Sequence, residues 1–188
     1  MQKPIVFTKV ESRMEYALYP PYGILTVGSL LKQHGHNVKL YQPMKEEIQE
    51  TARQIVDDEP LFLGISVLTS AGSKINLDIC KEVKKLNPDI HVVWGGIHPS
   101  MDPGQCLRSD AIDTVVIGEG EETILNLAHE MANGGDLEKV NNLQFKRDGE
   151  IVRTSVGFMD KNPLEMFTID WSLIDTERYV FEKEINGK

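Results

Sequence analysis

Apolar positions along this chain switch repeatedly between the spacing of a strand and that of a helix. Residues 4–10 form an apolar, β-branched run that predicts a buried strand. After Pro20-Pro21, Ile24, Val27, Leu30 and Leu31 recur at helical spacing, and Gly35 stands where a helix would close. A short strand follows at 37–41, then a helix from about Lys45 carrying Ile48, Ala52, Ile55 and Val56 on one stripe. Residues 61–68 are nearly all apolar, as in a strand covered on both faces. Ile75, Ile79, Val83 and Leu86 mark the next helix, stopped by Asn87-Pro88.

A fourth strand at 90–94, a short helix around 102–107, a fifth strand at 114–117 and a helix with Ile124, Leu127, Ala128 and Met131 complete the alternation, which closes at Gly134-Gly135. This order predicts the α/β class: a doubly wound, five-stranded, mainly parallel sheet of the Rossmann or flavodoxin-like kind, with helices on both faces. Runs 142–145 and 151–154 around Asp148-Gly149 predict a β-hairpin, expected as a C-terminal extension. The expected division is a domain at 1–136, the hairpin at 137–156 and a linker at 157–188. In the linker, Pro163, Trp171, Leu173, Ile174, Tyr179 and Phe181 are expected to pack on a neighbouring domain.

Composition narrows the partners. With 188 residues, 40% hydrophobic and 26% charged, the chain suits one globular domain plus a short extension. The net charge of −9 repels phosphate backbones, so no nucleic-acid partner is expected. The apolar runs are strand-sized, shorter than the ~20 residues that span a bilayer. Met1-Gln2-Lys3-Pro4 has no signal-peptide pattern, so no membrane partner and a cytoplasmic location are expected. Cys80 and Cys106 fit no zinc or cluster spacing and read as small buried hydrophobes.

In an open parallel sheet, ligands sit beyond the carboxyl ends of the strands. Three strand-to-helix loops there are unusual. The third strand runs into Ser66-Val67-Leu68-Thr69-Ser70-Ala71-Gly72-Ser73, small and hydroxyl residues that can cap a helix or leave room for a ligand. The fourth ends in Trp94-Gly95-Gly96-Ile97-His98-Pro99, whose paired glycines let backbone approach a flat molecule. His98 could serve as a metal ligand or acid–base group, or simply as a hydrogen-bond partner in the loop. The fifth ends in Gly118-Glu119-Gly120-Glu121-Glu122-Thr123. Its carboxylates complement a helix dipole by ~0.3–1 kcal/mol each and speak against a polyphosphate ligand. The phosphate-binding G-x-x-x-x-G-K-[ST] loop is absent.

Together these loops, with Pro20-Pro21-Tyr22-Gly23 and His34-Gly35-His36-Asn37-Val38, resemble the cobalamin-binding domain at the front of cobalamin-dependent radical S-adenosylmethionine enzymes, a group that includes the anaerobic magnesium-protoporphyrin monomethyl ester cyclases and various methyltransferases. The resemblance covers about residues 3–135, with a weaker extension through 169–175. It implies cobalamin as cofactor, held at Thr8, Ser66, Leu68, Thr69, Ser70, Gly95, Gly96, Ile97, His98, Pro99, Gly118, Glu119, Gly120 and Glu121. Ser66, Leu68, Gly95 and Gly96 would line the cavity for the nucleotide tail.

Two departures shape the expected chemistry. Methionine-synthase-type proteins carry D-x-H-x-x-G after the first strand, but residues 8–19 here contain no histidine. The resemblance therefore implies base-off cobalamin without a histidine lower ligand. The cluster-binding C-x-x-x-C-x-x-C is also absent. A 4Fe-4S cluster and S-adenosylmethionine are thus expected only in a parent protein, whose barrel would begin near the end of this chain and be its partner. The chain alone is expected to bind but not to catalyse.

Two other readings remain open on the residues themselves. One is a flavodoxin-like signalling or flavin module, although a receiver domain would need acidic residues where Thr8 and Ser66 or Leu68 stand. The other is a small group-transfer enzyme using Glu119 or Glu121 as base with His98 as partner.

Overall fold

The computed structural model describes residues 2–11, 19–68, 71–157 and 168–179. Five parallel strands alternate with helices in chain order: β1 (Ile5–Thr8), α1 (Tyr22–Gln33), β2 (Val38–Tyr41), α2 (Ile48–Asp57), β3 (Phe62–Ser66), α3 (Ala71–Leu86), β4 (Val92–Gly95), α4 (Ile97–Met101), α5 (Pro103–Leu107), β5 (Thr114–Val116) and α6 (Glu121–Ala132). The hairpin strands β6 (Leu143–Arg147) and β7 (Glu150–Arg153) follow. The sheet order is β2-β1-β3-β4-β5-β6-β7.

The expectation of a five-stranded sheet is therefore corrected. Five strands form the parallel part, but β6 pairs antiparallel with β5, Val115 opposite Gln144, so the hairpin continues the sheet to seven strands. Leu143 and Phe145 are the reason: both are buried among the apolar side chains beneath α1 and α6, so the hairpin completes that core layer. The turn itself is as expected, with Asp148 and Gly149 both at positive φ (52° and 83°).

Strand alternation divides the core into two layers. Val6, Leu63, Ile65, Val92, Trp94 and Val115 meet Ile48, Ala52, Ile55, Ile79 and Val83 of α2 and α3. Ile5, Phe7, Phe62, Val93 and Val116 meet Ile24, Leu31, Ile124 and Leu127 of α1 and α6. Cys80 is buried against the Trp94 indole, which donates to its sulfur at 3.2 Å, and burial pushes its thiol up to about 12. Among the described residues no helix is long and apolar enough to cross a membrane.

The segment at 168–179 folds back on the chain. Lys32 pairs with Asp170 at 2.6 Å, the Asp170 N–H donates to Ser29 Oγ, and Trp171 packs edge-on against Tyr22 with ring centroids 6.2 Å apart. Arg178 donates to the carbonyl of Gln42 beyond β2. Pro163 and Phe181 lie outside the described residues.

Candidate functional site

Alternation along β3 and β4 decides what reaches the carboxyl edge. Phe62, Gly64 and Ser66 share the α1/α6 face, as do Val93 and Gly95, and Ser66 stands in register with Gly95. A Cβ on Gly64 would overlap the Phe7 ring, so that glycine makes room for the core. A Cβ on Gly95 would meet only Val116, at 3.7 Å, so this glycine faces open space. The space is a slot of ≈ 160 Å³ between α1 and α6. Val93 and Val116 form its floor, Ile24, Val27 and Ile124 its walls, and Ser66, Gly95, Gly96, Gly118 and Gly120 its rim.

Backbone geometry fixes the rim. Gly96 has φ +100°, and a Cβ there would stand 2.9 Å from the Val67 carbonyl oxygen. Val67 itself donates to Gly95 O at 2.8 Å and accepts the His98 N–H at 3.2 Å. Gly118 has φ +76°, another conformation an L side chain rarely adopts. Ser100 joins the two glycine loops: its hydroxyl donates to Gly96 O at 2.7 Å and accepts the Gly118 N–H at 2.9 Å. A Cβ on Gly23, at the start of α1, would come 2.9 Å from Ser66 Oγ, so a side chain there would push the Ser66 hydroxyl aside at the edge of the slot.

One buried carboxyl group lies inside. Glu121 opens α6 and lines the slot; it is 8% exposed, and its Oε2 has no hydrogen-bond partner among the described residues. An orphaned buried acceptor costs ~1–3 kcal/mol. Tyr19 and Tyr22, before and at the start of α1, Leu68 after β3, and Ile97 and Met101 at the two ends of α4 are exposed, Leu68 60% and Ile97 57%. An apolar-walled slot rimmed by glycines, with exposed apolar side chains on α1, α4 and the loop after β3, suits a ligand with a flat apolar body and a narrower tail.

Of the expected site residues, the fold brings Ser66, Gly95, Gly96, Gly118, Glu119, Gly120 and Glu121 together around the slot. Leu68, Ile97 and His98 stand beside it on the same edge, Leu68 and Ile97 exposed and His98 half-buried, while Pro99 is buried in α4. Thr8 lies apart: fully buried on the α2/α3 side, it donates to the Tyr41 carbonyl at 3.1 Å. Thr69 and Ser70 lie outside the described residues, as do 12–18 of the loop after β1. Phe7 and Val27, which also line the slot, and Ser100, which ties its rim, are not among the site residues that the sequence pattern predicts. Nothing in the pattern marks a serine that bridges two loops, since the Gly118 N–H that it accepts comes from a separate loop 18 residues on.

Several known proteins are similar to this chain. The family model described as the B12 binding domain matches residues 16–128. The anaerobic magnesium-protoporphyrin IX monomethyl ester cyclase of Synechocystis is 30% identical over 179 residues, covering 92% of this chain and 35% of the relative. An uncharacterised methyltransferase of Pyrococcus horikoshii is 28% identical, covering 85% of this chain and 35% of the relative. This chain thus spans about a third of the length of these relatives. Among solved structures, the radical S-adenosylmethionine methyltransferase TsrM from Kitasatospora setae, with cobalamin and a 4Fe-4S cluster bound, superposes with a TM-score of 0.71 at 18% identity. The match covers 86% of this chain and 30% of that one. OxsB, a cobalamin-dependent S-adenosylmethionine radical enzyme solved with aqua-cobalamin and S-adenosylmethionine, gives 0.66 at 22% identity over 83% of this chain and 22% of that one. These superpositions share the fold.

Proposed function

We propose, from the premise that this chain belongs to the B12 binding domain family, that the slot between α1 and α6 holds the nucleotide tail of cobalamin and the carboxyl edge carries its corrin ring. The observation that carries this reading is the slot itself: glycine-rimmed, apolar-walled, and holding one buried carboxylate oxygen that lacks a donor among the described residues.

The residues present suit that group. Glu121 Oε2 would accept a hydrogen bond from a hydroxyl or amide N–H of the tail, relieving the orphaned acceptor. Ile24, Val27, Val93, Val116 and Ile124 would keep water from the tail, while Gly95 and Gly96 would let the backbone approach it. Leu68, Ile97, Tyr22 and Met101 offer an apolar seat for the ring. When bound, the cobalt supplies a centre able to carry a methyl group between donor and acceptor.

No residue between 8 and 19 is a histidine, so the loop after β1 offers no imidazole to the cobalt. The reading is therefore base-off binding without a protein histidine as lower ligand. Kinship with methyltransferases and cyclases supports a further step: the chain serves as the cofactor-binding module of a radical S-adenosylmethionine methyltransferase or cyclase. With two cysteines and no C-x-x-x-C-x-x-C, these residues would leave the 4Fe-4S cluster and S-adenosylmethionine to another part of a parent protein.

Hydroxocobalamin mixed with the protein is expected to co-elute in gel filtration with a base-off absorption spectrum. The protein loaded with cob(II)alamin is expected to show no nitrogen superhyperfine splitting in its electron paramagnetic spectrum. Splitting from a protein imidazole would overturn the lower-ligand assignment, and an uncoloured protein peak would overturn the cofactor.

A further inference from the structure

We propose that Asn142, at the corner where the chain enters the hairpin, is a positioning residue for the cofactor: it holds the Gly118 turn and the first turn of α6 where Glu121 and Ile124 line the slot. This rests on the cobalamin reading above and gives the hairpin a part in the site.

Asn142 has φ +62°, a left-handed conformation that asparagine adopts more readily than most residues with a side chain. Its backbone N–H donates to the Ser155 carbonyl at 2.9 Å, and its carbonyl accepts the Ile117 N–H at 2.9 Å. Its side-chain Oδ1 accepts the Gly157 N–H at 2.9 Å, and Nδ2 donates to Thr123 Oγ1 at 3.4 Å. One residue thus joins the end of β5, the first turn of α6 and the chain that leaves β7.

Two of these partners border the slot. Ile117 directly precedes the Gly118 turn, and the buried Thr123 follows Glu121 and precedes Ile124 along α6. Gly157 closes the corner from outside, where a Cβ would come 2.8 Å from Asn141 Nδ2. With Oδ1 and Nδ2 both bound, the corner cannot rotate, and the Asn142 carbonyl stays aimed at the Ile117 N–H. Ser100 reaches the Gly118 turn from α4 and Asn142 reaches it from the hairpin, so the turn is held on both sides.

The test compares the unsubstituted protein with Asn142→Gly, Thr123→Val and their double variant, reading the rate at which bound hydroxocobalamin leaves on dilution. Asn142→Gly keeps the left-handed backbone and deletes the two side-chain bonds, whereas Thr123→Val deletes only the link to α6. Val83→Ala, in the buried layer under α2 and α3, serves as a variant destabilised away from the slot.

Hydroxocobalamin is expected to leave Asn142→Gly roughly tenfold faster and Thr123→Val roughly threefold faster, with the amide resonances of Gly118 and Gly120 moved in both. The double variant is expected to match Asn142→Gly within about twofold, because both substitutions cut one link. Val83→Ala is expected to lose more stability in urea yet to release the ligand at the unsubstituted rate, so a general loss of stability does not reproduce the effect. Should Asn142→Gly fail to fold, Thr123→Val decides by the same readings. Release from the folded variants no faster than from Val83→Ala overturns the inference and leaves the cofactor reading standing. An unsubstituted protein that retains no hydroxocobalamin removes the cofactor reading and this role with it.

Discussion

The hydroxyl of Ser100 accepts the backbone N–H of Gly118 at 2.9 Å, tying the loop after β4 to the loop after β5. The same oxygen donates to Gly96 O, so one side chain holds both glycine turns of the rim. Removing it in Ser100→Ala deletes two hydrogen bonds of ~0.5–1.5 kcal/mol each. A loss of about 1–2 kcal/mol in urea unfolding is expected, with faster hydrogen exchange at the Gly118 amide. Unchanged exchange there would show that the turn holds its shape without Ser100.

Glu121 sets binding against stability. Among the described residues its buried oxygen lacks a partner, while its place in the first turn of α6 gains from the helix dipole. Relief of the orphan, ~1–3 kcal/mol, exceeds the lost dipole interaction, ~0.3–1 kcal/mol. Glu121→Leu is thus expected to stabilise the ligand-free protein by about 1 kcal/mol and to weaken cobalamin binding. A variant both less stable and unaltered in binding would contradict the role given to this carboxylate.

Neither thiol should react in the folded protein. Burial raises Cys80 to about 12 and Cys106 to about 11, and both are enclosed in the α2/α3 layer. The thiolate is the reactive form. Ellman's reagent at pH 8 is expected to label neither cysteine natively and both in guanidinium; rapid labelling of Cys106 in the native state would show that α5 opens.

Asp170 reports how the segment at 168–179 docks. The Lys32 ammonium beside it, with the Ser172 hydroxyl and N–H, lowers its carboxyl from 3.8 to about 2. Because the folded value lies below the ordinary one, this contribution is present above about pH 4 and is lost as pH falls through about 2. Asp170→Asn at neutral pH is expected to move the Trp171 indole N–H resonance, through its packing on Tyr22, and to leave that of Trp94 in place. No movement would show that the segment docks without the ion pair.

Much of the architecture is legible from apolar spacing, because parallel strands covered on both faces must be continuously apolar. The glycine rim is legible too, since Gly95-Gly96 and Gly118-Glu119-Gly120 interrupt the pattern where strands end. Helix α4 is less so: Pro99 suggests a loop, but at the third position of a short helix its missing N–H costs no hydrogen bond. Asp148-Gly149 marks the hairpin, but nothing local says that its first strand pairs with β5; that choice is made by Leu143 and Phe145 meeting a core assembled from distant segments. Thr8 ends a strand as the site glycines do, yet alternation turns it to the opposite layer with Val6. The orphaned oxygens of Glu121 and Gln144 appear only once neighbours are placed around them.

The central claim is that the slot between α1 and α6 holds the cofactor's tail, and Gly95→Leu tests it most directly. A Cβ at Gly95 clashes with nothing, so the variant should fold, while the longer side chain fills the slot. After gel filtration with hydroxocobalamin, the unsubstituted protein is predicted to keep its colour and Gly95→Leu to elute colourless with an unchanged circular dichroism spectrum. A folded variant that retains as much cobalamin as the unsubstituted protein, or an unsubstituted protein that retains none, would contradict the account.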